Sequence, residues 1–240
     1  GCAGEGEPLT ELETMIAELP ADTWWSAPNS AMRAACPADL DGYHCASVVN
    51  AWSGGAWDPV HRQLLVFGGG HADSPDNTLY AFELATLTWT RLTERSSPDL
   101  MGADPLPDGQ PVSRHSYDGL QYLTQSQRFF AWAGARWQDG YGTNVTWTYD
   151  HDGGWTDVQS SPEGAATYSN ATAYDAATNA MLAHAGGSQV EQHRAAQSAR
   201  TDNQHFGGFE FLLGGQPEVG DNSPPDIHAA PRGARWPPRC

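Results

Sequence analysis

The sequence predicts an all-β protein with a short N-terminal helix. Glycine, proline and tryptophan are abundant, at 26, 17 and 10 of 240 residues, which is typical of short strands, many turns and aromatic packing. From about residue 46 onward, strand-length apolar segments alternate with turn residues, and one fifteen-residue pattern recurs three times. A chain of this length can also bury a substantial core.

The N-terminal helix is predicted over residues 8–19, PLTELETMIAEL. Thr10 can cap it, and Glu13 three residues later completes a capping box. Apolar residues then fall at helical spacing on one face, which we expect to pack against the main domain, and Pro20 ends the helix.

The cysteines predict one small disulfide loop and an exported protein. Cys36 and Cys45 are close enough in CPADLDGYHC to form a disulfide, whereas a metal site is disfavoured because only His44 lies nearby. An oxidising, secreted, periplasmic or cell-surface location follows. The segment GCAGEGEP resembles the cleavage region of a bacterial lipoprotein, so Cys2 is a candidate lipid anchor. No role is predicted for Cys240. Residues 1–45 are thus interpreted as a tether, a helix and a disulfide loop.

The internal repeat predicts four-stranded units. Each window has an aromatic residue at its second position, then a polar turn, an apolar strand and a small-residue ending; the windows are AWDPVHRQLLVFGGG (56–70), QYLTQSQRFFAWAGA (121–135) and AYDAATNAMLAHAGG (173–187). Two further strands follow each of the first two windows, in NTLYAFELATLTWTRL and NVTWTYDHDGGWTDV. A four-stranded sheet cannot bury both faces alone, but stacking such sheets as blades around an axis buries them.

These units resemble kelch repeats. The resemblance consists of glycines closing the second strand, an aromatic residue in the third and a tryptophan in the fourth; it is carried by Gly68, Gly69, Tyr80 and Trp89, by Ala133, Gly134, Tyr149 and Trp155, and by Gly186 and Gly187. It implies a kelch-like β-propeller, similar to the central domain of galactose oxidase at the level of fold only. Kelch-type propellers include binding modules and enzymes, so it implies no particular activity.

The recognisable blades number about three, fewer than the four to eight of propellers. We assign residues 46–215 to blades and residues 216–240, which contain six prolines, to an extended tail. Either the last third forms divergent blades or the chain is part of a longer propeller, and the second interpretation is slightly favoured.

Charge and hydropathy exclude several kinds of partner. A net charge of −17 opposes binding to nucleic acid or to an anionic membrane surface. No apolar run approaches the roughly 20 residues that span a bilayer. No P-loop and no nucleophile elbow is present, so nucleotide binding and serine hydrolysis lack support.

Polar side chains are predicted to converge at one end of the blades. The turns between second and third strands and the links between blades share one face of a propeller. His71 and Arg136 directly follow the first two windows, and PVSRHSYDG (111–119) leads into the second blade with Arg114, His115 and Tyr117. Asp73 and Trp137 lie close by in the sequence. We expect a site at the channel mouth built from these side chains.

This site is expected to bind a carbohydrate or a protein partner. Arg136 could pair with an acidic sugar and Trp137 could stack on a sugar ring, with Asp73 as a further ligand-binding residue. An alternative is a polysaccharide lyase that performs β-elimination on uronic acids, with His71 or His115 as base, Tyr117 as acid and Arg114 or Arg136 holding the carboxylate. Each residue could instead serve structure alone, and a surface protein without a small-molecule site is the third hypothesis.

No cofactor and no metal site is predicted, with calcium as the weaker exception. HADSPDN (71–77) offers the oxygens of Asp73, Asp76 and Asn77, although the spacing differs from that of an EF-hand.

Overall fold

The computed structural model describes residues 8–28, 30–70, 73–100, 103–158, 169–185 and 191–194. His71, Cys2, Cys240 and the predicted tail over 216–240 lie outside these residues, and so do Gly186 and Gly187 of the third repeat. The described residues are mostly β, with four antiparallel sheets and short helices. They do not form a closed ring, so the propeller remains a proposal.

The N-terminal part contains more helix than the sequence predicted. Helix α1 spans Glu11–Ala17, and its predicted capping box between Thr10 and Glu13 is present. A 3-10 helix spans Met32–Ala35, and helix α2 spans Gly42–Asn50 with Asp41 as its cap. Because α2 crosses residues 45 and 46, the predicted boundary between tether and blades falls inside a helix. The predicted disulfide between Cys36 and Cys45 is formed, with their Cα atoms 5.9 Å apart.

Helix α1 contacts the first hairpin through a buried charge. Glu13 is its one fully buried residue within the described helix, and Met15 remains exposed. The Glu13 carboxylate pairs with Arg62 of the first hairpin, at 2.6 Å between Oε1 and Nη2. A buried carboxylate needs such a partner, and the ion pair therefore fixes where α1 lies.

Two four-stranded sheets confirm the predicted four-strand units. In the first sheet the strands pair in chain order: β1 (Gly55–Asp58), β2 (Gln63–Val66), β3 (Tyr80–Glu83) and β4 (Thr88–Arg91). After the short strand β5 (Arg114–His115) comes the second sheet, built from β6 (Leu120–Leu123), β7 (Arg128–Trp132), β9 (Thr146–Asp150) and β10 (Gly154–Asp157). Strand β8 (Ala135–Arg136) pairs with β5.

The third repeat forms a three-stranded sheet within the described residues. Its strands are β11 (Asn170–Asp175), β12 (Ala180–Ala185) and β13 (Glu191–Arg194). The hairpins of all three windows share one geometry, because the pairs Asp58–Gln63, Leu123–Arg128 and Asp175–Ala180 each close a four-residue turn. The seventh residue of each window has a left-handed backbone conformation, with φ of 56°, 54° and 53° at Arg62, Gln127 and Asn179. The sequence repeat is therefore a structural repeat.

The core lies between stacked layers. Leu65 and Phe67 of the first sheet pack with Phe129 and Trp147 of the second, and Trp155 covers this cluster. The other face of the second sheet packs against Met181 and neighbouring residues of the third sheet. The other face of the first sheet packs against α2 and the 3-10 helix, where the Trp89 indole donates a hydrogen bond to the Ser30 carbonyl. The order of layers is thus helices, first sheet, second sheet, third sheet.

Glycines at the ends of the second strands allow the segment leading into the second sheet to approach closely. A Cβ on Gly70 would lie 2.0 Å from the Arg114 Cα, and one on Gly134 would lie 2.3 Å from the His115 carbonyl oxygen. Such distances exclude any side chain without backbone movement. Gly70, and Gly134 of the kelch-like pattern, therefore set the positions of Arg114 and His115.

Candidate functional site

His115 and Asp73 form a close pair at the end of the first sheet where β2 leads into β3. The distance between His115 Nε2 and Asp73 Oδ2 is 2.6 Å. His115 is buried, whereas the Asp73 side chain is partly exposed. The predicted partner His71 lies outside the described residues. Of the predicted site residues, the structure thus brings together His115, Asp73 and, as described next, Tyr117.

Two aromatic rings lie beside the His115 ring. The Tyr117 ring meets the His115 ring edge-on with 5.8 Å between centroids, and Trp52 lies 6.3 Å from Tyr117 and 6.5 Å from His115. Trp52 is 67% exposed although it contacts both rings. We name Trp52, Asp73, His115 and Tyr117 the His115 cluster. It combines an exposed aromatic surface with a hydrogen-bonding His–Asp pair.

The backbone of the cluster is strained and held in place. Trp52 and Tyr117 both adopt left-handed conformations, with φ of 56° and 48°. The Tyr117 N–H donates to the Trp52 carbonyl at 2.8 Å, and the Gly54 N–H donates to the Ser116 hydroxyl at 3.1 Å. Strained non-glycine residues occur preferentially at functional sites, because the surrounding structure must enforce them. Burial raises the pKa of the Tyr117 hydroxyl, which therefore stays protonated at neutral pH.

Arg114 is directed into the protein. Its guanidinium donates to the carbonyls of Val112 and Ala133 and to Asp104 Oδ1, at 3.1, 3.3 and 2.9 Å. The side chains of Arg114 and Asp104 are each 1% exposed. Burial lowers the pKa of Arg114, and the Asp104 carboxylate opposes that shift. These contacts give Arg114 a structural role and leave it no exposed surface for a ligand.

Arg136 lies apart from the His115 cluster. Strand pairing places Arg136 opposite Arg114 and Ala135 opposite His115. Because successive side chains of a strand point to opposite faces, Arg136 shares the face of Arg114 and not that of His115. Arg136 pairs with Asp139 at 2.7 Å, and the Trp137 N–H donates to the Ser113 carbonyl. The predicted convergence is therefore divided between two faces.

The oxygens considered for calcium serve other contacts. Asp76 accepts hydrogen bonds from the Tyr80 hydroxyl at 2.6 Å and from the Thr78 N–H at 3.0 Å. The Asn77 side chain bonds to Ser96 and to the Pro111 carbonyl. Both Asp76 and Asn77 are buried in these networks, whereas Asp73 faces His115. The three side chains thus point to three different sets of partners.

Sequence reasoning missed Trp52. It lies two residues after the end of α2 and belongs to none of the repeated windows, so no spacing marked it. The only signal was its place four residues before the start of the first window, in NAWSGGAW. No family model matches the chain, and a search of curated proteins gives no match.

Proposed function

We propose that this chain forms part of an exported kelch-like β-propeller that binds carbohydrate at the His115 cluster. The observation that carries the proposal is Trp52, a largely exposed indole supported by two further rings beside a His–Asp pair. Aromatic rings offer large apolar surfaces at low cost in conformational entropy, and a sugar ring presents a matching apolar face. Hydroxyl groups of the sugar could then bond to the Asp73 carboxylate.

The charges favour a neutral sugar over an acidic one. Arg114 is enclosed in its ion pair with Asp104, and Arg136 lies on the other face and pairs with Asp139. The cluster instead presents the Asp73 carboxylate, in a chain with a net charge of −17. An acidic glycan would therefore meet repulsion with no arginine of the described cluster to offset it. Neutral glycans thus replace, in this proposal, the acidic glycans that the sequence suggested.

The stacked layers, the shared hairpin geometry and the glycine contacts support the propeller part of the proposal. The disulfide supports export, since such bonds persist in oxidising compartments. The proposal also retains a lipid anchor at Cys2.

The test is a glycan array followed by calorimetric titration with the best neutral oligosaccharide. Trp52→Ala should weaken binding at least about tenfold, because it removes the stacking surface. The matched control is Trp24→Ala, since Trp24 is 98% exposed and lies outside the cluster. Equal losses from both variants, or none from Trp52→Ala, would refute the site. Loss only on Trp137→Ala would move the ligand away from the His115 cluster.

A second function, β-elimination at a uronic acid, is suggested by the His115–Asp73 pair beside the Tyr117 ring, but it ranks second because no arginine of the described cluster can hold the uronate carboxylate. A histidine oriented by a carboxylate can act as base, and a protonated tyrosine can act as acid. Incubation with uronate polymers, followed by the ultraviolet absorbance of the unsaturated product, tests it. Product formation that disappears in His115→Gln would establish the lyase. If neither glycan binding nor product is found, the surface-protein hypothesis remains.

A further inference from the structure

A second polar cluster lies at the opposite end of the first sheet from the His115 cluster. It contains Asp58 at the end of β1, His61 in the turn between β1 and β2, and His151 in the turn between β9 and β10. Asp58 Oδ2 lies 2.8 Å from His61 Nδ1 and 3.3 Å from His151 Nε2. Among the residues that the structure describes, only these three form a set of histidine, cysteine or acidic side chains with ligand atoms within 4.8 Å of one another.

The Asp58 carboxylate is fixed in direction by its turn. The side chain is 0% exposed, and its Oδ1 accepts the N–H groups of Val60 and His61 at 2.9 and 3.1 Å. Its Oδ2 faces the two histidines and also accepts a hydrogen bond from the Gln63 amide at 3.1 Å. One oxygen is therefore committed to the backbone, while the other contacts His61 and the Gln63 amide. The same amide nitrogen lies 3.0 Å from His151 Nε2, so a bound ion would replace these amide contacts. Contacts of the kind that Oδ1 makes orient metal-ligating carboxylates.

The first hairpin differs from the hairpins of the other two windows at the position of His61. In the third window, Asp175 makes the same turn contacts, and its other oxygen accepts the Thr178 hydroxyl at 2.6 Å. The second window has Leu123 and Ser126 at these two positions. Aspartate therefore closes the turn in the first and third repeats. Only the first repeat has a histidine three residues after its aspartate, His61, and receives a second histidine, His151, from the neighbouring sheet. The turn alone explains neither histidine.

A buried hydroxyl also adjoins the cluster. Tyr122 of β6 is 5% exposed, and its hydroxyl interacts with the Asp58 carboxylate from the second sheet. The Asp58 carboxylate is thus held from the second sheet as well as from its own turn, and such outer contacts orient a metal-ligating carboxylate.

We propose that Asp58, His61 and His151 bind a divalent transition-metal ion such as Zn²⁺. Two imidazole nitrogens and one carboxylate oxygen are a ligand set suited to zinc, and they suit calcium or magnesium poorly. With bonds of about 2.0–2.1 Å, ligand atoms of a tetrahedral ion lie roughly 3.3 Å apart. The His151–Asp58 separation already equals this value, and His61, which is partly exposed, must retreat by about half an ångström.

The ion would join two sheets. Asp58 and His61 belong to the first hairpin and His151 to the second sheet, so binding adds a cross-link between these layers. The layers also meet through apolar packing and through hydrogen bonds such as that from the Tyr149 hydroxyl to the Leu92 carbonyl. Both histidines are partly exposed, which leaves a path for the ion and a fourth position open to water.

The test is titration of chelator-treated protein with Zn²⁺ by calorimetry and with Co²⁺ by absorption spectroscopy. We expect one ion per chain at this site, an intense visible Co²⁺ spectrum typical of tetrahedral N/O ligation, and a melting temperature raised by about 5–10 °C at a hundredfold excess over Kd. His61→Gln and His151→Gln should each weaken Zn²⁺ binding at least about tenfold.

The matched control is His44→Gln. His44 also pairs with an aspartate, at 3.0 Å from Asp41, but it lies away from the cluster and should leave Zn²⁺ binding unchanged. Zn²⁺ affinity that is the same in His61→Gln, His151→Gln and the unaltered protein would overturn the proposal. The Co²⁺ spectrum of the unaltered protein tests the site even if a variant fails to fold, because its absence would also overturn the proposal.

Discussion

The ion pair between Arg114 and Asp104 gives the sharpest prediction, since it decides whether Arg114 supports the fold or a ligand. Asp104→Asn keeps the shape of the side chain and both of its hydrogen bonds, because the amide can accept from Arg114 and donate to the Thr143 hydroxyl, which now lies 2.7 Å from Oδ2. Only the negative charge is lost. The Arg114 cation is then left buried without an anion among the contacts described for it.

Removing one partner of a buried ion pair costs about 3–5 kcal/mol, and the retained hydrogen bonds place Asp104→Asn near 3 kcal/mol. The assay is the free energy of unfolding from denaturant titration. The matched control is Glu94→Gln, which breaks the exposed pair with Arg91 and should cost less than about 1 kcal/mol.

A double variant completes the experiment. Arg114→Met combined with Asp104→Asn removes both charges, so it should cost clearly less than the sum of the two single variants. A loss below about 1 kcal/mol for Asp104→Asn, or simple additivity of the two changes, would refute the structural role and make Arg114 a candidate ligand residue again.

Two further predictions concern packing and pH. Gly70→Ala should destabilise the fold by more than about 3 kcal/mol or prevent folding, whereas Gly153→Ala, whose Cβ meets nothing nearer than 3.7 Å, should change the free energy of unfolding by less than about 1 kcal/mol. Similar effects of the two variants in the same denaturant assay would contradict the close approach. Burial and the charge of Asp76 raise the pKa of Tyr80 above its ordinary value near 10, so the folded state retains a proton that the unfolded chain releases. The stabilisation contributed by the Tyr80 hydroxyl is thus fully present below about pH 10 and is lost as the pH rises further. The loss should be smaller in Tyr80→Phe. Equal pH dependence of the two proteins in denaturant titrations would contradict this prediction.

Local patterns of the sequence predicted much of the fold. The capping box at Thr10, the disulfide and the three hairpins depend on residues within about ten positions of each other, and all are present. Helix α2 was missed because GYHCASVVN has β-branched and aromatic residues without a clear apolar face, and its cap, Asp41, was the only signal. The closed ring of blades is still a prediction.

The candidate site was predicted only in part. His115 and Asp73 meet as expected, because a turn and an inter-sheet link do share one end of the sheets. Arg114 was assigned to the same site, although strand alternation turns it inward beside Asp104. Neighbours in a strand can point to opposite faces, and the sequence alone did not reveal which of the two would face solvent.

The sequence by itself determined the elements that are made by neighbouring residues: the hairpins, the left-handed turn position, the helix cap and the disulfide loop. Only the tertiary structure decided which side chains from different elements meet, since that depends on how the sheets stack. His151 reaches Asp58 across 93 positions of chain, and Trp52 reaches Tyr117 because glycines let two backbones approach. Hydrogen bonds within a turn repeat with the sequence, whereas contacts between layers depend on packing of whole faces, which no short pattern encodes.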